Sequence, residues 1–269
     1  LRFQLLWHTV TVDSDDATLT DVLSEVIASV AHPFEASQAQ HYRATTEADG
    51  LAISEQGDLL ATVASPQEGR DVIQMRALLR ALELAQLKRW IMLRGALVDI
   101  GRSRILLLGP PAAGKTLLTL RLGLSGAAIQ GDGGVLVRDE ALLALPRPLT
   151  LREGAAALVP EIGAILPSLP VAGGATWLDP ARDLDLPWRL RVAPVDHVVV
   201  LERGNEGCAS GPLAQHEVIA ELERALVWSG GPDHERAGKL FKLLGGARGH
   251  ALRTGELDET EEALRRLAC

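Results

Sequence analysis

The sequence predicts an α/β fold, with a phosphate-binding core preceded by a smaller α+β part. Three observations carry this. An apolar run, Ile105-Leu106-Leu107-Leu108, leads through a glycine-rich turn into a helical pattern over residues 117–122. Before it, residues 90–100 read as a buried strand, and Gly101-Arg102-Ser103 as a tight turn into residues 104–108. Short strand-like segments fill residues 42–64, followed by one long helical periodicity reaching Leu87. Residues 1–88 are therefore expected to form an N-terminal α+β domain and residues 89–269 the core.

The elements follow in order. Residues 1–12 alternate around Phe3, Leu5, Trp7, Thr9 and Val10 and predict a strand. Asp13 to Asp16 make an acidic turn. Thr18 or Thr20 is the expected cap of a helix through Val22, Leu23, Val26, Ile27 and Val30, ended by Pro33. Gln56-Gly57-Asp58 marks a hairpin turn between short strands. Ser65, Pro66 and Glu68 form a helix start: a cap, a proline at the first helical position and an acid three residues after the cap. After the glycine-rich turn, Gly126 ends a helix, and Gly131-Asp132-Gly133-Gly134 is a corner before a strand at residues 135–137. Arg138-Asp139-Glu140 turns into a strand at residues 142–145, which Pro146-Arg147-Pro148 stops. Residues 150–154 predict a short helix or turn. Six prolines break residues 155–195 into short pieces, with a strand at residues 175–178 and a turn at residues 179–182. Residues 195–202 predict an apolar strand, residues 213–228 and 236–244 helices, residues 250–253 a short strand and residues 257–267 a last helix.

Composition limits the functions open to the chain. It has 269 residues, 47% of them hydrophobic but only 3% aromatic, so its core must be built from Leu, Val, Ile and Ala. A net charge of −8 argues against a partner bound through general phosphate-backbone attraction, so nucleic acid is not expected. No apolar stretch is long enough to span a bilayer, so no membrane is expected, and no secretory pattern opens the chain. The two cysteines, Cys208 and Cys269, have no metal-ligand spacing and form no disulfide framework, which fits a reducing cytoplasm.

Residues 109–116, Gly109-Pro110-Pro111-Ala112-Ala113-Gly114-Lys115-Thr116, match G-x-x-x-x-G-K-T in full. The two glycines can take backbone angles that aim several N–H groups at one anion. The helix beginning near Gly114 adds its positive end. Lys115 supplies a charge for the β- and γ-phosphates, and the Thr116 hydroxyl is a Mg²⁺ ligand. ATP and Mg²⁺ are the implied cofactors.

A family resemblance attaches to residues 92–153. The run Leu93-Arg94-Gly95-Ala96-Leu97-Val98-Asp99-Ile100 precedes the loop. Asp132 follows the loop helix, and then come Pro146-Arg147-Pro148 and Leu151-Arg152-Glu153. This resembles the HPr kinase/phosphorylase family, whose nucleotide site is similar to that of phosphoenolpyruvate carboxykinase. A strand over residues 197–201, then helices, His250-Ala251-Leu252-Arg253 and an amphipathic last helix extend the likeness over the C-terminal part. The resemblance implies a P-loop core of that type and transfer of the γ-phosphoryl group of ATP to a serine hydroxyl. Relatives occur beside peptide-modifying enzymes, including those that phosphorylate the C-terminal residue of lasso-peptide precursors, so a peptide or protein substrate is implied. Relatives are often homo-oligomers. Two departures stand out: the family usually has His where this chain has Arg94, and adjacent Asp residues where it has Asp132-Gly133.

The candidate catalytic residues are accordingly Asp132, Lys115 and Arg94. Residues 109–116 hold the nucleotide, Thr116 and Asp132 the metal, and Arg147, stiffened between prolines, the substrate. Arg94 cannot act as a base but can offset phosphate charge or anchor an acidic substrate. Arg152 and Glu153 read as a solvated helix start, Trp177 and Asp179 as weaker substrate-side candidates, and His197 as a core histidine. His8, His32, His41, His216, His234 and His250 are scattered, so no structural zinc is expected. Two other functions stay open at this stage. One is a nucleotide-binding module without transfer activity, acting as a partner or regulator. The other is a small-molecule kinase or ATP hydrolase of the parallel-sheet type, which the antiparallel hairpin before the loop disfavours.

Overall fold

The computed structural model describes residues 1–27, 35–145, 147–204 and 207–269. The chain opens with a hairpin, β1 (Arg2–Leu5) and β2 (His8–Ser14), in place of the single strand expected over residues 1–12. Leu6 takes a φ of 54°, which reverses the chain where alternation alone shows no break. Asp16 caps α1 (Ala17–Val26), its carboxylate accepting from the Leu19 N–H at 3.0 Å, so neither Thr18 nor Thr20 is the cap. Val30, His32 and Pro33 lie outside the described residues.

β3 (Gln38–Glu47) runs parallel to β2, and β4 (Gly50–Glu55) and β5 (Asp58–Val63) complete a sheet in chain order. Gln56 and Gly57 form the expected turn, with φ of 53° and 100°. The helix α2 (Pro66–Leu87) starts as a reciprocal cap: the Glu68 N–H donates to Ser65 Oγ at 3.2 Å, and Glu68 Oε2 accepts from the Ala64 N–H at 3.0 Å. Its Ile73 and Ala77 pack on Val10, Val12, Tyr42 and Ile53 of the sheet.

The single strand expected over residues 90–100 is two, β6 (Ile91–Leu93) and β7 (Ala96–Ile100). The break falls at Arg94-Gly95, where the Arg94 N–H donates to the Ala225 carbonyl at 2.7 Å. A Cβ on Gly95 would stand 2.9 Å from the Leu107 carbonyl oxygen, so only glycine lets the chain pass from one sheet to another here. β7 pairs antiparallel with β8 (Ser103–Leu108), as the Gly101 turn predicts.

After β8 come α3 (Lys115–Leu124), β9 (Ala128–Asp132), β10 (Val135–Arg138) and β11 (Ala141–Ala144). Pro146 is outside the described residues, residues 149–151 form a strand, β12 (Leu149–Leu151), and the short helix or turn expected to begin over residues 150–154 comes just after it, as a turn at Glu153-Gly154 into a helix from Ala155. The proline-broken stretch holds α4 (Ala155–Leu158), β13 (Val171–Ala172), β14 (Ala175–Leu178) and α5 (Pro180–Leu184), the last a short helix where a turn is expected. Next are β15 (His197–Arg203), β16 (Ala209–Pro212) and α6 (Gln215–Arg224). The helix expected to reach Trp228 stops at Arg224. Leu226 to Ser229 instead form β17 (Leu226–Ser229), because β6 offers them an edge. α7 (Asp233–Leu243), β18 (Arg248–Thr254) and α8 (Leu257–Ala268) end the chain.

The central sheet has the order β16-β18-β15-β8-β7-β9, with β8, β15 and β18 parallel and β7 antiparallel to β8. β8 is buried on both faces, which explains its unbroken apolar run. Leu106 and Leu108 face Val218 and Leu222 of α6, Leu240 and Leu243 of α7, and the sheet β11-β10-β6-β17. Ile105 and Leu107 face Leu118 and Leu122 of α3 and Leu264 of α8. A further apolar cluster joins the first sheet and α2 to the rest: Leu6, Trp7, Ala81, Leu82 and Ala85 meet Leu136, Leu143 and Leu145. Trp7 and Trp90 stack edge to face there, 5.1 Å between ring centres. Among the described residues, no helix is long and apolar enough to cross a membrane.

Candidate functional site

The loop between β8 and α3 is built by two glycines for different reasons. Gly109 has a φ of 134°, and a Cβ there would stand 2.6 Å from the Leu201 carbonyl oxygen on β15. Space and conformation both require glycine. Gly114 has a φ of 92° with nothing within 4 Å of a built Cβ, so conformation alone requires it. It is the residue immediately before α3, so that helix begins at the expected place and its unpaired N–H groups open at the loop.

Lys115 is buried, and its ammonium donates to the carbonyls of Gly109 at 2.7 Å and Pro110 at 2.9 Å. Burial pushes its pKa down. The Asp132 carboxylate opposes that shift and Arg94 adds to it. The Thr116 hydroxyl donates to Asp132 Oδ2 at 2.6 Å. Asp132 is the last residue of β9 and pairs with Ala96 of β7, which carries its side chain to the loop. It is 7% exposed. Burial pushes its carboxyl well up, while Thr116, Arg147, Lys115 and the Gly133 N–H pull it down.

Arg147 reaches the same corner. Its Nε donates to the Asp132 carbonyl at 3.1 Å, and its guanidinium lies against the Cα of Gly133. Gly133 has a φ of 85°.

These groups line one cleft of about 540 Å³, shared by Arg94, Lys115, Thr116, Asp132, Gly133 and Arg147 with Pro111, Ala112 and Gly114 of the loop. The expected site residues are thus brought together, although they come from four separate stretches of chain. Gly109 and Pro110 face an adjoining hollow that Arg94 also lines, and Ala113 is buried beneath the loop. Three charged residues on the cleft, Arg152, Glu153 and Arg203, are not site candidates in the sequence reading. Arg152 stands on its rim with Glu153, although both read as a solvated helix start. Arg203 ends β15, and the pairing of Val200 with Leu108 carries it past the end of β8 to the loop. Only that strand register identifies Arg203. The side chains of Arg94, Arg152 and Arg203 make no ion pair among the described residues. A cationic cleft on a chain of net charge −8 suits a polyanion.

The remaining candidates have other places. Asp179 is fully buried and accepts from the Ala181 N–H and, at 2.7 Å, from Trp188 Nε1, so it holds α5 in position. Trp177 lines a separate apolar groove of about 370 Å³ that Arg147 also borders. His197 is buried at the opposite end of β15 from Arg203, 3.1 Å from His250, a pairing the sequence spacing does not announce. Among the described residues, no three His, Cys, Asp or Glu side chains cluster as a metal cage.

No protein-family model matches the chain, and no curated protein matches it. Among solved structures, the HPr(Ser) kinase/phosphatase from Coxiella burnetii is similar over 65% of this chain and 90% of that one, at 12% identity and a TM-score of 0.31. So distant a similarity carries no function, which rests on the cleft itself.

Proposed function

We propose that the chain is an ATP-dependent kinase that transfers the γ-phosphoryl group to a hydroxyl, most simply a serine of a peptide or protein. The observation that carries this reading is the 2.6 Å bond between Thr116 and Asp132. It joins the hydroxyl of a phosphate-binding loop to a buried carboxylate at the mouth of a cationic cleft.

Pro110 and Pro111 have no N–H and the Ala113 N–H donates to the Pro110 carbonyl, so Ala112, Gly114 and the start of α3 bind the β- and γ-phosphates through backbone N–H groups, with Lys115 supplying charge. Asp132 orients the acceptor hydroxyl and accepts its proton. The acceptor oxygen bonds to the γ-phosphorus, the bond from that phosphorus to the β,γ-bridging oxygen breaks, and ADP leaves with the electron pair. A carboxyl pushed up by burial is suited to taking that proton. Thr116 and Asp132 also offer the hard oxygen donors that Mg²⁺ takes from a protein, and with few other ligands nearby the ion would keep waters and phosphate oxygens. When bound, Mg²⁺ neutralises phosphate charge.

Lys115→Ala is expected to abolish transfer of labelled γ-phosphate from ATP to serine-containing peptides. Unchanged turnover in that variant would sink the reading. A second reading, a nucleotide-binding module without transfer activity, is favoured by Gly133 and Arg94 standing where the resembling family has Asp and His. A wild-type chain that binds ATP with Mg²⁺ but phosphorylates no peptide would support it.

A further inference from the structure

We propose that Arg147 is a catalytic residue that contacts the transferred phosphoryl, held for that task by a notch at Gly133. The proposal rests on the kinase reading above and specifies which substrate group this arginine meets.

Four arginines line the cleft: Arg94, Arg147, Arg152 and Arg203. Among the described residues, only Arg147 of these four is tethered through its side chain. Its Nε donates to the Asp132 carbonyl at 3.1 Å, which ties the guanidinium to the residue whose carboxylate the Thr116 hydroxyl bonds, on the same cleft. Nη1 and Nη2 make no hydrogen bond among the described residues, so both remain as donors. Gly133 makes the placement possible. A Cβ there would stand 1.7 Å from Nη2 and 2.6 Å from Cζ. Any side chain at position 133 would therefore evict the guanidinium, and the φ of 85° already disfavours one. Arginine at 147 and glycine at 133 thus form one device. A second acid at 133 would occupy the space that the cation now fills.

The chemistry fits that position. Negative charge in the transition state spreads over the three equatorial oxygens of the transferred group, and donors fixed beforehand stabilise it most. The Lys115 ammonium lies against the loop carbonyls, and Arg94, Arg152 and Arg203, whose side chains have no hydrogen bond or ion pair among the described residues, would lose side-chain freedom on engaging a ligand. Arg147 has already lost it. Its planar fork matches two oxygens of one phosphoryl.

The test compares the affinity of ADP with that of a non-hydrolysable ATP analogue, both with Mg²⁺, by titration calorimetry. Arg147→Ala is expected to leave ADP affinity within about twofold and to weaken the analogue by about tenfold, with kcat falling about a hundredfold. Added guanidinium ion should restore part of that kcat. Arg147→Lys should recover little, because an ammonium has neither the Nε tether nor the fork. Gly133→Ala should reproduce the loss of analogue affinity with Arg147 intact, and melting curves establish that each variant is folded. Equal weakening of ADP and analogue, no weakening of either, or a folded Gly133→Ala with wild-type preference for the analogue overturns the assignment. A wild-type chain that binds both nucleotides and transfers phosphate, alongside an Arg147→Ala that does the same, removes this inference alone. A wild-type chain that binds no nucleotide removes the kinase reading and the inference with it.

Discussion

Asp132→Asn separates the stability of the cleft from its activity. A carboxylate taken out of water costs several kcal/mol in a protein interior. The charge-assisted bond from Thr116 returns about 1.5–3 kcal/mol, and Arg147, Lys115 and the Gly133 N–H return more. The carboxyl is nevertheless pushed up, with burial the largest cause, so the balance at neutral pH is unfavourable to the charge. Asparagine keeps the shape and an acceptor for Thr116 without the charge. Asparagine is therefore expected to be the more stable at pH 7, each kcal/mol gained raising Tm by about 2–4 °C in a chain of this size. The sign with pH follows from linkage. A carboxyl raised in the folded state favours folding most below its unfolded pKa, near 3.9, and that contribution is lost as pH climbs through the raised folded value. The advantage of asparagine should therefore vanish in acid and grow toward neutrality, while phosphoryl transfer falls by orders of magnitude. Thermal melts of both proteins across pH 4–8 measure it. A variant less stable than wild type at pH 7, or one whose gain does not change with pH, would refute the reasoning.

Two further perturbations test the scaffold. Gly109→Ala drives a Cβ to 2.6 Å from the Leu201 carbonyl and strains a φ of 134°, so it should cost several kcal/mol, as local strain and overpacking do. Nucleotide affinity should fall with it, and calorimetry with a melting curve would reveal a tolerated alanine. We propose a domain boundary near residue 88. Residues 89–269 expressed alone should nonetheless bind a hydrophobic dye and associate, because Leu136, Leu143 and Leu145 lose the cover of Leu6, Leu82 and Ala85. A monodisperse fragment that binds no dye would show that this cluster matters little.

What the sequence makes legible here is local. The loop at residues 109–116 announces itself because glycine positions, lysine and hydroxyl all fall within one turn between a strand and a helix. The Gly101 turn likewise fixes the antiparallel approach of β7 to β8. The cap at Ser65 and Glu68 is closed within residues 64–68. What sequence hides depends on distant partners. The run from Ile91 to Ile100 is apolar apart from Arg94 and Asp99 and keeps a strand-like pattern on both sides of Gly95, so its periodicity does not mark the jump there from one sheet to another. Leu226 and Val227 continue a helical pattern acceptably, and only the edge of β6 draws them into a strand. Leu6 hides a chain reversal because leucine rarely adopts a positive φ. Arg203 carries no local signal at all. Asp132 and Arg147 were found separately, but the notch that couples them at Gly133 is visible only in three dimensions.

The two bonds from Lys115 to the Gly109 and Pro110 carbonyls have a consequence for how the loop fills. The Lys115 ammonium is held by two carbonyls of its own loop, so in the proposed kinase a phosphate competes with them for that charge. Hydrogen bonds to a charged group are worth about 1.5–3 kcal/mol, so an incoming anion must outcompete them to recruit the lysine. A lone phosphate offers little in exchange, whereas a triphosphate that also engages α3 and the far wall of the cleft offers much more. On the proposed function, such a loop would set a threshold, discriminating by the number of simultaneous contacts a ligand makes and not by charge alone.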